Sequence, residues 1–165
     1  MVVERTAPTI STALAERAAA GGEASLNAGI ALAWKGGEAA LDRGDLLRAL
    51  TIKVRPGEES PFVFGLDRDL IGERLAEIAA EVDRPARDAR FRIVDGKIAL
   101  VEEAASGRAL DVGGGLDGVL AAWGSPSPRV ELDLKTLAPA WTGKDLGKIK
   151  LGDDILAEGG TYYGD

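Results

Sequence analysis

The sequence predicts an α+β fold, in which antiparallel sheets carry helices packed on one face. The run FRIVDGKIAL at 91–100 predicts a β-hairpin, because Asp-Gly accepts the positive φ angles of a type I′ turn. Ile71, Leu75, Ile78 and Val82 recur at helical spacing and predict an amphipathic helix. The chain of 165 residues is 45% hydrophobic but only 5% aromatic, which favours an aliphatic core in one ordinary domain or two very small ones.

The N-terminal part predicts a helix and then a hairpin. Ser11 can cap an Ala-rich helix over residues 12–20, and Gly21-Gly22 would end it. Apolar residues then alternate on both sides of the Lys-Gly-Gly turn at 35–37. This pattern predicts a β-hairpin over residues 30–42.

The middle of the chain alternates short helices with strands. Asp42 is the expected N-cap of a helix in which Leu46, Leu47 and Leu50 share one side. The long helix that carries Ile71 should stop before Pro85, because proline biases the preceding residue away from the α conformation. Between these two helices, the sequence predicts a strand at 51–54, an exposed turn at 55–61 and a second strand at 62–66.

The C-terminal half predicts one more helix between strands. Residues 101–111 predict a strand and a turn, and residues 129–134 alternate as a further strand. Thr142 is the expected cap of a short last helix, and the acidic, Gly-rich residues from 152 favour an extended linker. The intervening helix is interrupted by glycines, and its predicted apolar side consists of Leu116, Val119, Leu120 and Trp123.

Two stretches resemble each other at a spacing of 69 residues. Leu41-Asp42 corresponds to Leu110-Asp111, and Leu47 corresponds to Leu116. We predict a duplicated unit of hairpin, helix, strand and helix, with copies at 28–84 and 85–151. The alternative is chance similarity between segments rich in Ala and Leu.

Two absences and the net charge exclude many functions. The chain has no His and no Cys, so it cannot contain a Ser-His-Asp or Cys-His catalytic centre, a zinc finger or a disulfide. With 20 Lys and Arg against 27 Asp and Glu, its formal charge of −7 disfavours nucleic acids and anionic membranes as partners. No apolar stretch approaches the roughly 20 residues that cross a bilayer, and the first residues lack a secretion signal.

Neither the glycine run nor the carboxylates predict a catalytic or metal site. Gly113–Gly115 lacks the Lys-Ser/Thr of a phosphate-binding loop and is interpreted as a loose helix entry. The adjacent acids at 67/69, 102/103 and 153/154 are interpreted as caps, a strand edge and a linker, and no calcium-loop pattern is present. We therefore predict no catalytic residue, no metal ligand and no cofactor.

Of the three tryptophans, Trp141 is the candidate ligand-binding residue. Trp34 alternates with core residues of a strand, and Trp123 shares a helix side with Leu120, so both are expected in the core. Trp141 lies between Pro139 and the predicted helix cap and is expected to be partly exposed. A sugar ring can stack on an exposed indole, although covering a sheet edge is the competing interpretation.

The order of the motifs resembles a known family. The motif positions are Leu75, Ile78, Ala79, Asp88, Ala89, Phe91, Gly96, Ile98, Gly107, Leu110, Asp111, Pro139, Thr142, Asp145 and Leu146. With these motifs, residues 28–151, and most clearly those from 67, resemble the peptidoglycan-binding domain of VanW-like proteins and of some L,D-transpeptidases of bacterial envelopes. The closing TYYGD also resembles the start of a segment that leads into a VanW module.

The resemblance implies a non-catalytic role at the cell envelope, outside the cell, in a larger exported protein. It implies peptidoglycan and neighbouring domains as partners, with residues 1–27 leading into the domain and 152–165 linking it to a following module. The cysteine motif of the transpeptidases cannot occur here. Two other hypotheses stay open: a structural or protein-interaction spacer that binds no glycan, and a glycan hydrolase with two acids ~5–10 Å apart in a cleft.

Overall fold

The computed structural model describes residues 12–55 and 62–149. It has four α-helices, small sheets and one 3₁₀ helix within these ranges, and so confirms the α+β class. The chain divides into two compact units. Unit 1 comprises the described residues of Met1–Pro85 with Arg108–Thr136, and unit 2 comprises those of Ala86–Gly107 with Leu137–Asp165.

Helix α1 of unit 1, Thr12–Ala28, is longer than predicted. It does not end at Gly21-Gly22, because tertiary packing outweighs the low helix propensity of glycine. A Cβ at Gly22 would lie 3.2 Å from the Phe64 ring, so this glycine lets the helix approach that side chain, and Leu26 continues into the core. The proposed cap Ser11 lies outside the described residues.

A three-stranded sheet forms the centre of unit 1. β1 (Ile30–Trp34) and β2 (Gly37–Leu41) form the predicted hairpin, in which Gly36 has a φ of 103°. A third strand, Arg129–Glu131, pairs with β1 in parallel, which gives a mixed sheet. Local sequence does not predict this pairing, because the two strands are far apart in the chain.

Helices α2 (Arg43–Ala49) and α3 (Arg68–Val82) flank a second hairpin, β3 (Leu50–Val54) with β4 (Phe62–Leu66). The predicted caps Asp42 and Asp67 both accept hydrogen bonds from backbone amides of the first turn. The prediction for the apolar side of α2 is partly wrong: Leu46 is buried, but Leu47 is exposed and Leu50 begins β3. Most of the predicted turn at 55–61 lies outside the described residues.

The remaining elements of unit 1 surround helix α4, Val112–Ala122. The predicted strand at 129–134 is wrong as one element, because the chain changes sheets after Glu131. Leu132 donates to the Ala33 carbonyl, and Asp133 accepts from Asp111. The chain therefore forms two short strands here, β8 (Arg129–Glu131) and β9 (Leu134–Leu137). The strand before α4 is β7 (Gly107–Leu110), and it pairs with β9.

All members of the main hydrophobic cluster belong to unit 1. The predicted helical stripe Ile71, Leu75, Ile78 and Val82 is buried as expected. Val119 of α4 is fully buried, and Leu116, Leu120 and Trp123 pack against the cluster as the sequence predicts. The other buried members are Leu26, Ile30, Leu32, Leu41, Leu46, Ala49, Leu66, Ala79, Leu110, Val130 and Leu132.

Unit 2 is built on the predicted Asp-Gly hairpin. β5 (Arg90–Val94) pairs with β6 (Lys97–Glu102), and Asp95 and Gly96 have φ angles of 51° and 73°, as a type I′ turn requires. The predicted last helix is a 3₁₀ helix, Gly143–Lys148. The predicted linker from 152 lies outside the described residues, and the internal duplication stays a prediction.

Candidate functional site

The three tryptophans have the environments expected from the sequence. Trp34 and Trp123 are partly buried and pack against the core of unit 1, and the Trp123 indole donates to the Phe64 carbonyl. Trp141 in unit 2 is 45% exposed. The candidate ligand-binding residue is therefore accessible to a ligand.

The backbone around Trp141 is held by hydrogen bonds within unit 2. Its amide donates to Asp88 Oδ1 at 3.0 Å, and its carbonyl accepts from the Ala89 amide at 2.8 Å. On the other side, the Thr142 amide and hydroxyl donate to Asp145 Oδ2 at 2.9 and 2.7 Å. Thr142 thus begins the 3₁₀ helix as predicted, but with its side chain as donor and Asp145 as acceptor.

A polar cavity of about 400 Å³ begins at the residues that hold Trp141. It is lined by Arg87, Asp88, Ala89, Arg90 and Glu102. Arg87 Nη1 lies 3.7 Å from Glu102 Oε1, and Arg90 Nη1 lies 3.6 Å from Glu102 Oε2. One carboxylate therefore lies between two guanidinium groups at the surface of unit 2.

A β-bulge creates this juxtaposition. Phe91 is paired with Leu100, so an uninterrupted ladder would put Val101 opposite Arg90. The register shifts between Arg90 and Phe91, and Glu102 becomes the partner of Arg90 instead. Arg87 is positioned separately, by two backbone hydrogen bonds with Ala105 at 2.8 Å.

The sequence predicts Trp141 as a ligand-binding residue, which stays a prediction, and it does not single out the cavity residues. Asp88 and Ala89 fall in a family motif without an assigned role, and Glu102 is interpreted as a strand edge. The only local signal is the spacing of Arg87, Asp88 and Arg90 just before a predicted strand. Their meeting with Glu102 depends on the bulge, which has no clear sequence signature here.

A second polar cavity, in unit 1 between α2 and α3, contains the acids that a hydrolase would need. Asp45, Glu73 and Glu77 line it with Arg74. Arg74 Nε lies 3.3 Å from Asp45 Oδ2 and its Nη1 lies 2.8 Å from Glu77 Oε2, so one guanidinium is paired with two carboxylates. Asp45 also belongs to the capping box of α2. Both acids therefore have structural partners in this cavity.

At two helix caps, the surroundings lower the pKa of the capping aspartate. Hydrogen bonds from the Asp45 and Gly44 amides lower the pKa of Asp42 below its ordinary value of 3.8. The Lys135 ammonium, 2.8 Å from Asp111, lowers the pKa of that carboxyl as well. These carboxyls are anionic helix caps, as the sequence predicts for Asp42.

The glycines of α4 allow this helix to pack closely on a neighbouring segment. Gly113–Gly115 forms its first turn, with the Gly114 amide donating to Asp111. A Cβ at Gly115 would lie 2.7 Å from the Leu132 side chain, and one at Gly118 would lie 2.7 Å from Val130. The glycines thus allow close packing of α4 on the segment 130–132, and a carboxylate occupies the position where a phosphate loop would receive an anion.

An apolar cavity of about 350 Å³ lies in unit 1 between α1 and the β3–β4 hairpin. Small side chains of α1, including Ala15 and Ala19, face Ile52, Phe62 and Phe64 across it. Its lining offers few polar groups that could orient a ligand, and so it is a weaker candidate than the polar cavity of unit 2.

Residues 12–55 and 62–149 contain no group of three or more acidic side chains that could hold a metal ion. In the same ranges, no helix combines the length and the apolar character that crossing a bilayer demands.

The described helices and small sheets define an α+β protein with a polar cavity on the surface of unit 2. The chain belongs to the family described as "Putative peptidoglycan binding domain", whose model matches residues 41–130. This confirms the resemblance seen in the sequence and associates the chain with the cell-wall polymer peptidoglycan. A search of curated proteins found no match.

Two solved structures match part of this chain, and the first of them shares its fold. One is the Ldtfm–avibactam carbamoyl enzyme, with a TM-score of 0.50, 11% identity and coverage of 73% of this chain and 46% of that chain. The other is a mutant of the Enterococcus faecium L,D-transpeptidase, with a TM-score of 0.48, 11% identity and coverage of 71% and 45%. The chain therefore spans less than half the length of either protein.

Proposed function

We propose that this chain is a non-catalytic module that binds peptidoglycan and acts as a spacer in a larger exported, VanW-like protein of the bacterial envelope. The observation that carries the proposal is the exposed Trp141, which is hydrogen-bonded through its backbone to residues of a polar cavity. The family match supports peptidoglycan as the ligand, and the exposed Trp141 beside the polar cavity supports unit 2 as the binding surface.

The chemistry of this surface fits the polymer. An indole face accepts a sugar ring by apolar stacking. The cavity next to it offers two guanidinium groups, Arg87 and Arg90, and one accessible carboxylate, Glu102. Peptide stems of peptidoglycan carry both carboxylates and amines, so both kinds of charge on the cavity find a counterpart.

The expected affinity of a single site is low. Each exposed ionic contact contributes at most about 1 kcal/mol. A protein that presents several such modules to a repetitive polymer would gain avidity from multivalency without any new contact. This behaviour suits a domain that keeps a neighbouring module close to the wall.

Co-sedimentation with purified sacculi tests the proposal. We expect enrichment of the domain in the pellet over an unrelated acidic protein, and a clear loss of enrichment in Trp141→Ala. Leu47→Ala is the matched control, because Leu47 is another exposed apolar side chain but lies in unit 1. Equal pelleting of the domain and the unrelated protein would contradict the proposal.

The alternative, a spacer that binds protein and no glycan, is favoured by one observation. Ile52, Val54 and Val63 of the β3–β4 hairpin are exposed in unit 1. In that case, alanine substitution of these residues would abolish the biological role, while sacculi would not retain the domain. Assaying the release of reducing ends from sacculi separates both functions from that of a hydrolase, since neither predicts release.

A further inference from the structure

We infer that the cavity formed by Arg87, Arg90 and Glu102 recognises the peptide stem of peptidoglycan through a free carboxylate, with the glycan strand contributing only the contact at Trp141. The inference rests on the proposed function and names the part of the polymer that gives specificity.

The first argument is that the guanidinium groups have donors to spare. Their separations from Glu102 are 3.7 and 3.6 Å, longer than the roughly 2.7–2.9 Å of a charge-assisted hydrogen bond. Arg87 and Arg90 are 71% and 78% exposed. Each guanidinium has five N–H donors in a planar fork that matches a carboxylate. Glu102 therefore keeps both groups near each other without using their hydrogen-bonding capacity.

The second argument concerns the two acids of the cavity. Asp88 Oδ1 accepts from the Trp141 amide, so one oxygen of that carboxylate holds the Trp141 backbone. Glu102, which is 44% exposed, is an acceptor that an ammonium group of the ligand can reach. A ligand with a carboxylate and a nearby amine can pair with both the arginines and Glu102, whereas an uncharged sugar offers no charge to either.

The third argument is the local charge. Among the described residues, unit 2 carries six Lys and Arg against five Asp and Glu, whereas unit 1 carries 12 against 15. The described part of unit 2 therefore repels an anionic group less than that of unit 1 does. The bulge that brings Glu102 opposite Arg90 places this charge cluster at the end of the hairpin away from its turn.

Titration of the whole chain with a synthetic stem peptide tests the inference. The probe is a short peptide with a free amine and a free C-terminal carboxylate, compared with the same peptide amidated at its C-terminus. We expect saturable NMR shifts at the amides of Arg87, Ala89 and Arg90. Amidation should weaken binding by up to roughly fivefold, the effect of losing one exposed charged contact. Raising the ionic strength should weaken binding of the carboxylate peptide more than binding of the amidated peptide.

Variants separate this site from general charge effects. The double variant Arg87→Gln with Arg90→Gln should bind both peptides equally weakly. The control Arg92→Gln with Lys97→Gln makes the same change in net charge on the same hairpin, outside the cavity lining, and should keep the preference for the carboxylate. Circular dichroism checks that each variant is folded. An undiminished preference in the cavity variant would overturn the inference.

Two further outcomes distinguish the inference from the function on which it rests. Glycan strands stripped of their stems that compete as well as intact sacculi would overturn the inference and leave peptidoglycan binding in place. Arginine-dependent binding of the peptide, with no retention by sacculi, would support the cavity's specificity and overturn the proposed function.

Discussion

The two units differ in where they place their apolar side chains. Every member of the main core cluster lies in unit 1, whereas Ala89 is the buried hydrophobic residue in the described part of unit 2. Unit 2 instead exposes Ile93, Val94, Val101 and Trp141. Since burial of apolar surface is the main stabilising contribution to folding, unit 1 has its own source of stability.

This difference assigns separate roles to the two units. Unit 1 contains the buried helical stripe and aspartate caps, whose charges are neutralised or hydrogen-bonded. Unit 2 keeps Arg90 accessible on its hairpin, Arg87 just before the hairpin, and Trp141 on a separate segment that is hydrogen-bonded to Asp88 and Ala89. A backbone that is already held by hydrogen bonds has less conformational entropy to lose on binding.

The largest expected effect is on the core of unit 1. Leu75→Ala should lower the free energy of unfolding by about 2–5 kcal/mol, because it leaves a cavity at a fully buried position. Ile93→Ala in unit 2, where the side chain is 60% exposed, should change it by less than about 0.5 kcal/mol. Urea denaturation followed by the helical circular dichroism signal measures the change in unit 1, and the amide NMR signals of β5 and β6 measure the change in unit 2. Similar losses in the two variants would break the distinction between the units.

A smaller effect tests the close packing of α4 in unit 1. Gly118→Ala should destabilise by about 1–2 kcal/mol, because the added Cβ would lie 2.7 Å from Val130 and overpacking outweighs the gain in helix propensity. Gly113→Ala, where the added Cβ would lie 3.8 Å from the Asp111 carboxylate, should stabilise by up to about 1 kcal/mol. Thermal unfolding gives the sign of each change, and equal signs would show that contact with Val130 does not decide the outcome.

The smallest effect is a local pH dependence in unit 2. Hydrogen bonds from Lys148 and Thr142 hold the pKa of Asp145 well below its ordinary value of 3.8. A carboxyl with a lowered folded-state pKa stabilises the fold above its unfolded pKa, and this contribution is lost as the pH falls towards the folded value. The 3₁₀ helix should therefore loosen below about pH 4.

The Trp141 indole signal in NMR spectra, adjacent to this helix, reports the change. It should stay constant above about pH 4 and shift below it, while Asp145→Asn should show the shifted position at every pH. Asp95→Asn is the control in the same unit, since Asn also tolerates the positive φ of the hairpin turn. An identical acid response in Asp145→Asn and the wild type would contradict the assignment.

Elements determined by neighbouring residues could be predicted from the sequence. The Asp95-Gly96 turn, the Asp42 cap and the helical stripe around Leu75 each depend on interactions within a few residues, and the structure has all three. The continuation of α1 through Gly21-Gly22 could not be predicted, because it depends on the close approach of Gly22 to the distant Phe64. The parallel pairing of β1 with β8 was missed for the same reason.

The candidate site was predictable only in part. The exposure of Trp141 follows from its position between a proline and a helix start. The cavity residues are distributed over two segments, and their contacts depend on a one-residue shift in the ladder. A sequence pattern shows which residues can form strands but does not reveal where a register slips, so Glu102 looked like an ordinary edge residue.

The pairing of β1 with β8 has a consequence for anyone who trims or expresses this domain. Leu32 and Val130 are register partners separated by roughly 100 residues, so a nascent chain cannot complete this sheet until Glu131 has been synthesised. A fragment cut to the limits of the family match, 41–130, would lack β1 and with it two fully buried side chains, Ile30 and Leu32. The smallest piece that folds independently is therefore longer than the segment by which its relatives are recognised.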